Sequence, residues 1–290
     1  MTESTNAKLL TGAPVAKAIN ARITENIETL AQRGVKPTLA ILRVGAREDD
    51  LSYERGALKK CEQLGVGVKQ VILAADCAAE EVYGAIESLN QDPEVHGVLM
   101  FRPMPKHIDD RKVRQLLDPA KDVDGCTDGS LAGVFTNVPV GFPPCTARAA
   151  MEMLDYYEVP LSGANAVVIG RSLVVGRPAA MLLMHKNATP TICHTRTKNM
   201  PEITKRADVL VVCCGQAESI GAEYLAPGQT VIDVGINWSE EKGKLVGDVK
   251  FDEAEPVVAA ISPVPRGVGS VTTSVLLLHV TEAALRQTEA

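Results

Sequence analysis

The sequence predicts an α/β fold in two domains, each built around a mostly parallel sheet. Three observations carry this reading. A length of 290 residues suits two domains of ordinary size. Segments with helical periodicity alternate with short β-rich runs. Near residue 160 the character of the chain changes, and a strand, a glycine-bounded turn and a helix open a second series.

Taken in order, residues 14–33 place apolar side chains at helical spacing, and Pro37 ends that regime before the run TLAILRVG. A helix over 51–64, the strand VKQVILA, a helix over 80–89 and the strand VHGVLMF follow, which gives alternating units and a parallel sheet. Residues 103–144 are rich in Pro, Gly, Asp and Lys and read as loops holding short helices, where function tends to collect. A helix over 146–157 leads into LSGANAVVIGRSLVVGRPAAMLLMH; TPTICH, MPEITKRA, DVLVVCC and QTVIDVGI continue the alternation, and a last helix covers 270–286. Residues 1–145 plus 270–290 are assigned to the first domain, with the C-terminal helix packing back on it, and residues 146–269 to the second.

Composition narrows the function. Hydrophobic residues make up 46% and charged residues 23%, as in a globular chain, while only 3% aromatics leave the cores to Val, Ile, Leu and Ala. A net charge of -6 without a Lys/Arg block disfavours nucleic acid as a partner. The polar start MTESTNAKLL and the lack of a long apolar run point to a cytoplasmic protein, with no membrane partner. Seven scattered cysteines read as reduced packing residues. No CxxC or HExxH spacing suggests a metal, so none is assigned.

Between AVVIG and the next helix lie Gly170, Arg171, Ser172 and, after Leu173–Val175, Gly176. Such a turn presents backbone amides and a helix N-terminus to phosphate, with Arg171 and Ser172 as added donors. The alternative is an ordinary strand-to-helix turn. About 20 residues further on, where an NAD site places an acid for the ribose 2′-hydroxyl, the chain reads His194, Thr195, Arg196, Thr197. A guanidinium without an acid favours a 2′-phosphate, hence NADP, with NAD as the alternative.

The segments GVLMFRPMP, PAKDVDG, PPCT, VVIGRSLVVGRPAAMLL, CHTRT and SPVPRGVG, in this order, resemble the bifunctional methylenetetrahydrofolate dehydrogenase/methenyltetrahydrofolate cyclohydrolase family. The resemblance runs from about Leu9 to the last helix. It implies an N-terminal catalytic domain, a Rossmann-type dinucleotide-binding domain, a folate cleft between them and a homodimer joined through the nucleotide domains. It also implies two reactions on the tetrahydrofolate carrier: hydride transfer from 5,10-methylenetetrahydrofolate to NADP, then hydrolysis of the methenyl product to 10-formyltetrahydrofolate. By the same resemblance Tyr53 and Asp124 are catalytic and substrate-binding residues, Pro263, Gly267 and Gly269 lie in a loop over the substrate, and Gly170, Arg171, Ser172, Gly176, Thr195, Arg196 and Ile236 bind the cofactor.

The chain departs from the family where the one-carbon bridge is expected. Four residues after Tyr53, on the same helical face, the family's lysine is replaced by Ala57, and its glutamine partner by Phe101. Asp50, Ala147, Arg266 and Ser270 also replace a serine, a proline, a glycine and a proline of the pattern. Hydride loss from an N–CH2–N bridge needs positioning more than a base, whereas hydrolysis needs proton transfers worth roughly 10²- to 10⁴-fold. The dehydrogenase is therefore expected to persist and the cyclohydrolase to be weak. The alternatives are a bifunctional enzyme with a proton donor relocated to Lys60 or Arg102, and a silent paralogue that binds folate or nucleotide.

Overall fold

The computed structural model describes residues 7–289. In chain order its elements are β1 (Lys8–Leu9), α1 (Gly12–Gln32), β2 (Thr38–Val44), α2 (Glu48–Leu64), β3 (Gly67–Leu73), α3 (Ala79–Gln91), β4 (Gly97–Met100), α4 (Asp110–Leu116), α5 (Asp128–Thr136), α6 (Cys145–Tyr156) and β5 (Asn165–Ile169). They continue with α7 (Gly176–His185), β6 (Thr189–Cys193), α8 (Met200–Thr204), β7 (Val209–Val212), β8 (Thr230–Asp233), β9 (Asn237–Ser239), β10 (Lys244–Val246), α9 (Phe251–Ala254), β11 (Ala260–Ile261) and α10 (Thr272–Glu289).

The chain divides into two compact units. One comprises Lys17–Cys145 with the chain from Thr273 onward, and the other comprises the chain up to Ala16 with Thr146–Thr272.

In the first unit three parallel strands lie in the order β3-β2-β4. Central β2 is buried along nearly its whole length, as expected of a parallel strand covered on both faces. Ala40, Leu42, Val98 and Met100 pack with Val82, Ile86 and Leu89 of α3 into one core. Helix α10 belongs to this unit and buries Val275–Leu278, Val280, Ala283 and Ala284. Asn26 of α1 donates to Thr281 Oγ1 at 2.9 Å. Close packing dictates Gly97 at the start of β4: a Cβ there would stand 2.5 Å from Val123 Cγ1.

In the second unit six parallel strands run β1-β11-β8-β7-β5-β6. From β5 the chain crosses to β6 on one side and then returns to β7 on the other, so the strand order reverses at β5. Crevices at the carboxyl ends of strands beside such a reversal are where ligands bind in open α/β sheets. Val167, Ile169, Leu210, Val212, Val231 and Ile261 form the core under one face.

The structure corrects the domain limits at the N-terminus. Lys8 and Leu9 pair in parallel with Ala260 and Ile261, so this segment joins the sheet of the second unit and not the first domain. A two-residue strand has no period to read, and its place is set by backbone hydrogen bonds to a strand some 250 residues away. Residues 1–6 and 290, also given to the first domain from sequence, lie outside the described residues. The β9–β10 hairpin and β11 are additions to the sequence reading, and they are too short to show alternation. No helix among the described residues is long and apolar enough to cross a membrane.

Candidate active site

In the first unit, the segment KDVDG is a loop whose first two charges are used to build it. Lys121 Nζ donates to the carbonyls of Leu89 at 2.9 Å and Asp92 at 2.6 Å. Asp122 is fully buried and accepts from the amides of Cys126 (3.0 Å) and Thr127 (2.7 Å) and from Ser130 Oγ (2.6 Å). Gly125 has φ +71, and a Cβ on it would fall 2.4 Å from Pro144 N, so the loop closes tightly against 142–144. With its neighbours fixed in this way, Asp124 is the acid left to act.

The Asp124 side chain is half-buried. Burial, reinforced by the charge of Asp122, pushes its carboxyl up to about 7, while a hydrogen bond with Cys145 and the charge of Arg102 oppose the rise. The Cys145 thiol is itself pushed well up by burial and by Asp124, and its Sγ donates to Val123 O at 3.2 Å. Sequence alone marks this cysteine only as a packing residue.

On α2 the buried face carries Asp50, Glu54, Ala57 and Cys61. Glu54 is paired with Arg43 at 2.8 Å and receives Gln70 Nε2 at 2.7 Å, and Asp50 takes a bidentate pair from Arg47 at 2.7 and 2.8 Å. These acids are therefore occupied in fixing the helix. Ala57 is sealed from solvent. The Phe101 ring meets the Tyr53 ring edge-on, with centroids 6.0 Å apart and planes at 80°, a favoured aromatic geometry. The two positions where the resemblance places a lysine and a glutamine thus hold no proton donor. Lys60, one turn beyond Ala57, is half-buried, and burial lowers its pKa. Arg102 forms an ion pair with Asp110, its Nε donating at 2.9 Å to Oδ1.

In the second unit, β5 is followed by Gly170, whose φ of +136 only glycine adopts readily; a Cβ there would lie 2.4 Å from Cys213 O. Gly176 opens α7 equally tightly, a Cβ falling 2.3 Å from Gly170 O. Ser172 Oγ accepts from Val175 N at 3.0 Å, and Ser172 O accepts from Arg177 N at 3.1 Å. The expectation of a free helix terminus is thus refined: Ser172 takes up the amide of Val175 at the N-cap of α7, and the unpaired donors lie just before it. The amides of Arg171, Ser172, Leu173 and Val174 have no acceptor among the described residues. Four successive N–H groups without an acceptor among the described residues, beside an exposed Arg171, are donors available to a phosphate.

After β6, a tight turn is pinned by His194 N to Thr197 Oγ1 (2.9 Å), Thr197 N to His194 O (2.7 Å) and Arg196 N to His194 Nδ1 (3.1 Å). It leaves Thr195 and Arg196 exposed at the carboxyl edge, with no acid in the turn.

A cavity of about 220 Å³ lies at the ends of β8 and β11, lined by Asp233–Ile236, Leu245 and Pro263–Ser270. Pro263, Gly267, Gly269 and Ile236 therefore meet at one place; Gly269 passes so close that a Cβ would reach Ile236 Cδ1 at 2.8 Å. The floor rests on two buried acids that sequence reasoning misses. Asp233 accepts the amides of Gly235 (3.0 Å), Asp248 (3.1 Å) and Val249 (3.0 Å). Asp248 accepts Gly215 N at 2.8 Å and Asn237 Nδ2 at 3.0 Å. Burial pushes the Asp233 carboxyl up to about 7, despite those amides. An acid closing the apolar run VID was the available signal. Arg266 holds φ +81, a left-handed conformation costing a non-glycine residue roughly 1–3 kcal/mol.

Residues 10–124 match the tetrahydrofolate dehydrogenase/cyclohydrolase catalytic domain, and residues 144–288 match the NAD(P)-binding domain of the same family. The bifunctional protein FolD of Carboxydothermus hydrogenoformans is 50% identical over 96% of this chain and 97% of its own. The crystal structure of the bifunctional enzyme FolD from Campylobacter jejuni superposes with a TM-score of 0.93 at 34% identity, covering 97% of this chain and 99% of that one. The Trypanosoma brucei methylenetetrahydrofolate dehydrogenase-cyclohydrolase, complexed with NADP cofactor and inhibitor, gives 0.90 at 33% identity, covering 99% and 100%. The chain is a member of the tetrahydrofolate dehydrogenase/cyclohydrolase family.

Proposed function

We propose that the chain is an NADP-linked 5,10-methylenetetrahydrofolate dehydrogenase in which the cyclohydrolase step is weak. The observation that carries this reading is the pair of Ala57, sealed from solvent, and Phe101, packed against Tyr53, at the positions of the family's lysine and glutamine.

NADP, when bound, supplies the hydride acceptor. The residues present fit it: the free amides of 171–174 with Arg171 suit its pyrophosphate, and Thr195 and Arg196 suit a 2′-phosphate. Asp124, once ionised, offers two oxygens to the paired N–H groups of a pterin edge and so orients the folate. The Tyr53 ring supplies a flat apolar wall, which Phe101 holds in place. Hydride departure leaves a cation delocalised over two nitrogens and requires no proton acceptor, so positioning suffices. Hydrolysis requires a proton to move on and off oxygen, and Ala57 and Phe101 offer no group for it.

One observation favours a second reading. Lys60 is half-buried with its pKa lowered by burial, as a relocated proton donor would need, and would restore a bifunctional enzyme. The assay that separates the two mixes purified protein with 5,10-methenyltetrahydrofolate and follows the loss of its absorbance. Hydrolysis at the rate of a lysine-containing relative would overturn the first reading, and absence of NADP reduction by methylenetetrahydrofolate would overturn both.

The seven free thiols support a cytoplasmic setting. A homodimer joined through the second unit is part of the same proposal; edge strand β6, exposing Thr191 and Ile192, supports it.

A further inference from the structure

The β9–β10 hairpin is a two-stranded antiparallel sheet of its own within the second unit. Its register sets Trp238 opposite Leu245 and Asn237 opposite Val246. Opposed residues share a face, and successive residues alternate between faces. The inner face carries Val246, which is buried, and Asn237, whose Nδ2 donates to Asp248 Oδ1 at 3.0 Å. The outer face therefore carries Trp238 and Leu245, and Ile236, two residues before Trp238, extends it. Trp238, Leu245 and Ile236 are 59%, 38% and 58% exposed. Single exposed apolar residues are ordinary, whereas contiguous ones mark a binding surface. Ile236 and Leu245 also line the cavity at the ends of β8 and β11, so the patch carries the cavity wall outward, with Trp238 beside Leu245 at its rim. Trp238 is the single tryptophan of the chain, and its ring meets no aromatic ring and no cation among the described residues.

The occupant follows from the strand order β11-β8-β7-β5-β6. The turn proposed for the pyrophosphate follows β5, and Arg196, proposed for the 2′-phosphate of the adenosine half, follows β6. The nicotinamide half lies across the pyrophosphate from the adenosine half, so it runs the other way, over β7 toward β8. Two strand spacings of about 4.8 Å put the end of β8 roughly 10 Å from the Gly170 turn, and β8 leads through 234–236 directly into the hairpin. The nicotinamide ring is cationic when oxidised and neutral when reduced. An indole face attracts a cation more strongly than other aromatic side chains do. Of the charged residues lining the cavity, Arg266 opposes a cationic ring, and Asp233 is buried and committed to three backbone amides. The indole is the group placed to favour the oxidised ring.

We infer that Trp238 binds the nicotinamide end of the cofactor and favours oxidised NADP over NADPH. This rests on the NADP reading above. The hairpin then holds the cofactor more tightly before hydride transfer than after it, so the reduced cofactor leaves more readily than the oxidised one.

The test is equilibrium titration of the full chain with oxidised NADP, NADPH and 2′,5′-ADP, the last lacking the nicotinamide half, by calorimetry in the wild type, Trp238→Ala and Trp238→Phe. Emission of the single tryptophan is followed in the wild type. Oxidised NADP should quench that emission and 2′,5′-ADP should not. Trp238→Ala should weaken oxidised NADP roughly tenfold and NADPH roughly threefold, leave 2′,5′-ADP unchanged, and keep the wild-type melting temperature; Trp238→Phe should keep part of the preference. Equal losses for the two redox forms, a parallel loss of 2′,5′-ADP, or emission that ignores oxidised NADP would each overturn the assignment. A wild-type chain that binds none of the three ligands would overturn the NADP reading itself, whereas normal wild-type binding that Trp238→Ala leaves unchanged would remove only the role of Trp238.

Discussion

Replacing Asp124 by asparagine should make the protein more stable and a worse enzyme, in a pH-dependent way. Burial, ahead of the Asp122 charge, moves the Asp124 carboxyl from its ordinary 3.8 to about 7. The folded chain therefore keeps a proton that the unfolded chain releases, and stability is lost as pH rises from about 4 through about 7. At 1.36 kcal/mol per pH unit the native state is disfavoured by about 4 kcal/mol above neutrality, and by about 2 kcal/mol at about pH 5. The Asp124→Asn side chain carries no charge at any pH, so the variant's stability gain should be about two and a half times as large at about pH 8.5 as at about pH 5. Denaturant unfolding at the two pH values, followed by circular dichroism, measures both differences. In activity, the two charge-assisted hydrogen bonds proposed from Asp124 to the pterin would be lost, and KM for the folate should rise roughly 10- to 100-fold. In the wild type, kcat/KM for the folate should climb as pH passes about 7, and that limb should vanish in the variant. A variant less stable than wild type at about pH 8.5, or a gain equal at both pH values, would refute the reasoning.

Three further outcomes are expected. Ala57→Lys combined with Phe101→Gln should raise methenyltetrahydrofolate hydrolysis at least tenfold while lowering the melting temperature, because an ammonium enters a sealed position; no gain in hydrolysis would mean the pocket has been rebuilt elsewhere. Gly170→Ala should cost roughly 1–3 kcal/mol or more and raise KM for NADP, since its φ of +136 and the 2.4 Å approach to Cys213 O leave no room for a methyl group; a wild-type melting temperature would count against the turn as described. Arg196→Glu should shift the NADP-to-NAD ratio of kcat/KM by at least tenfold toward NAD; an unchanged ratio would remove Arg196 from the 2′-phosphate site.

Much of the fold is legible in local pattern. TLAILRVG, VHGVLMF and DVLVVCC are apolar runs of strand length bounded by breakers, and they became β2, β4 and β7, buried where two faces are covered. The helices that separate them carry the spacing that buries one face, as Val82, Ile86 and Leu89 do in α3. The glycine turn at 170–176 and the lack of an acid near Arg196 were readable because the proposed phosphate site would use adjacent backbone and a fixed offset along one βαβ unit.

What sequence left undecided depends on groups that meet only after folding. The motif KDVDG names two aspartates of the same chemistry; the sequence could not say that Asp122 is consumed by Cys126, Thr127 and Ser130, leaving Asp124 raised to about 7. Ala57 and Phe101, where the resemblance implies a lysine and a glutamine, were visible in the sequence, but the edge-on contact of Phe101 with Tyr53 required the residue after β4 to meet α2 in space. Likewise the pairing of Lys8–Leu9 with Ala260–Ile261, the buried hub of Asp233 and Asp248, and the left-handed backbone of Arg266 arise from hydrogen bonds between distant segments. Sequence by itself determined which elements form and which chemical groups the chain possesses, because periodicity, breakers and residue type act over a few residues. Tertiary structure decided which of those groups remain free to act, because burial and hydrogen-bond partners are properties of the packed chain and set the charge and direction of each side chain.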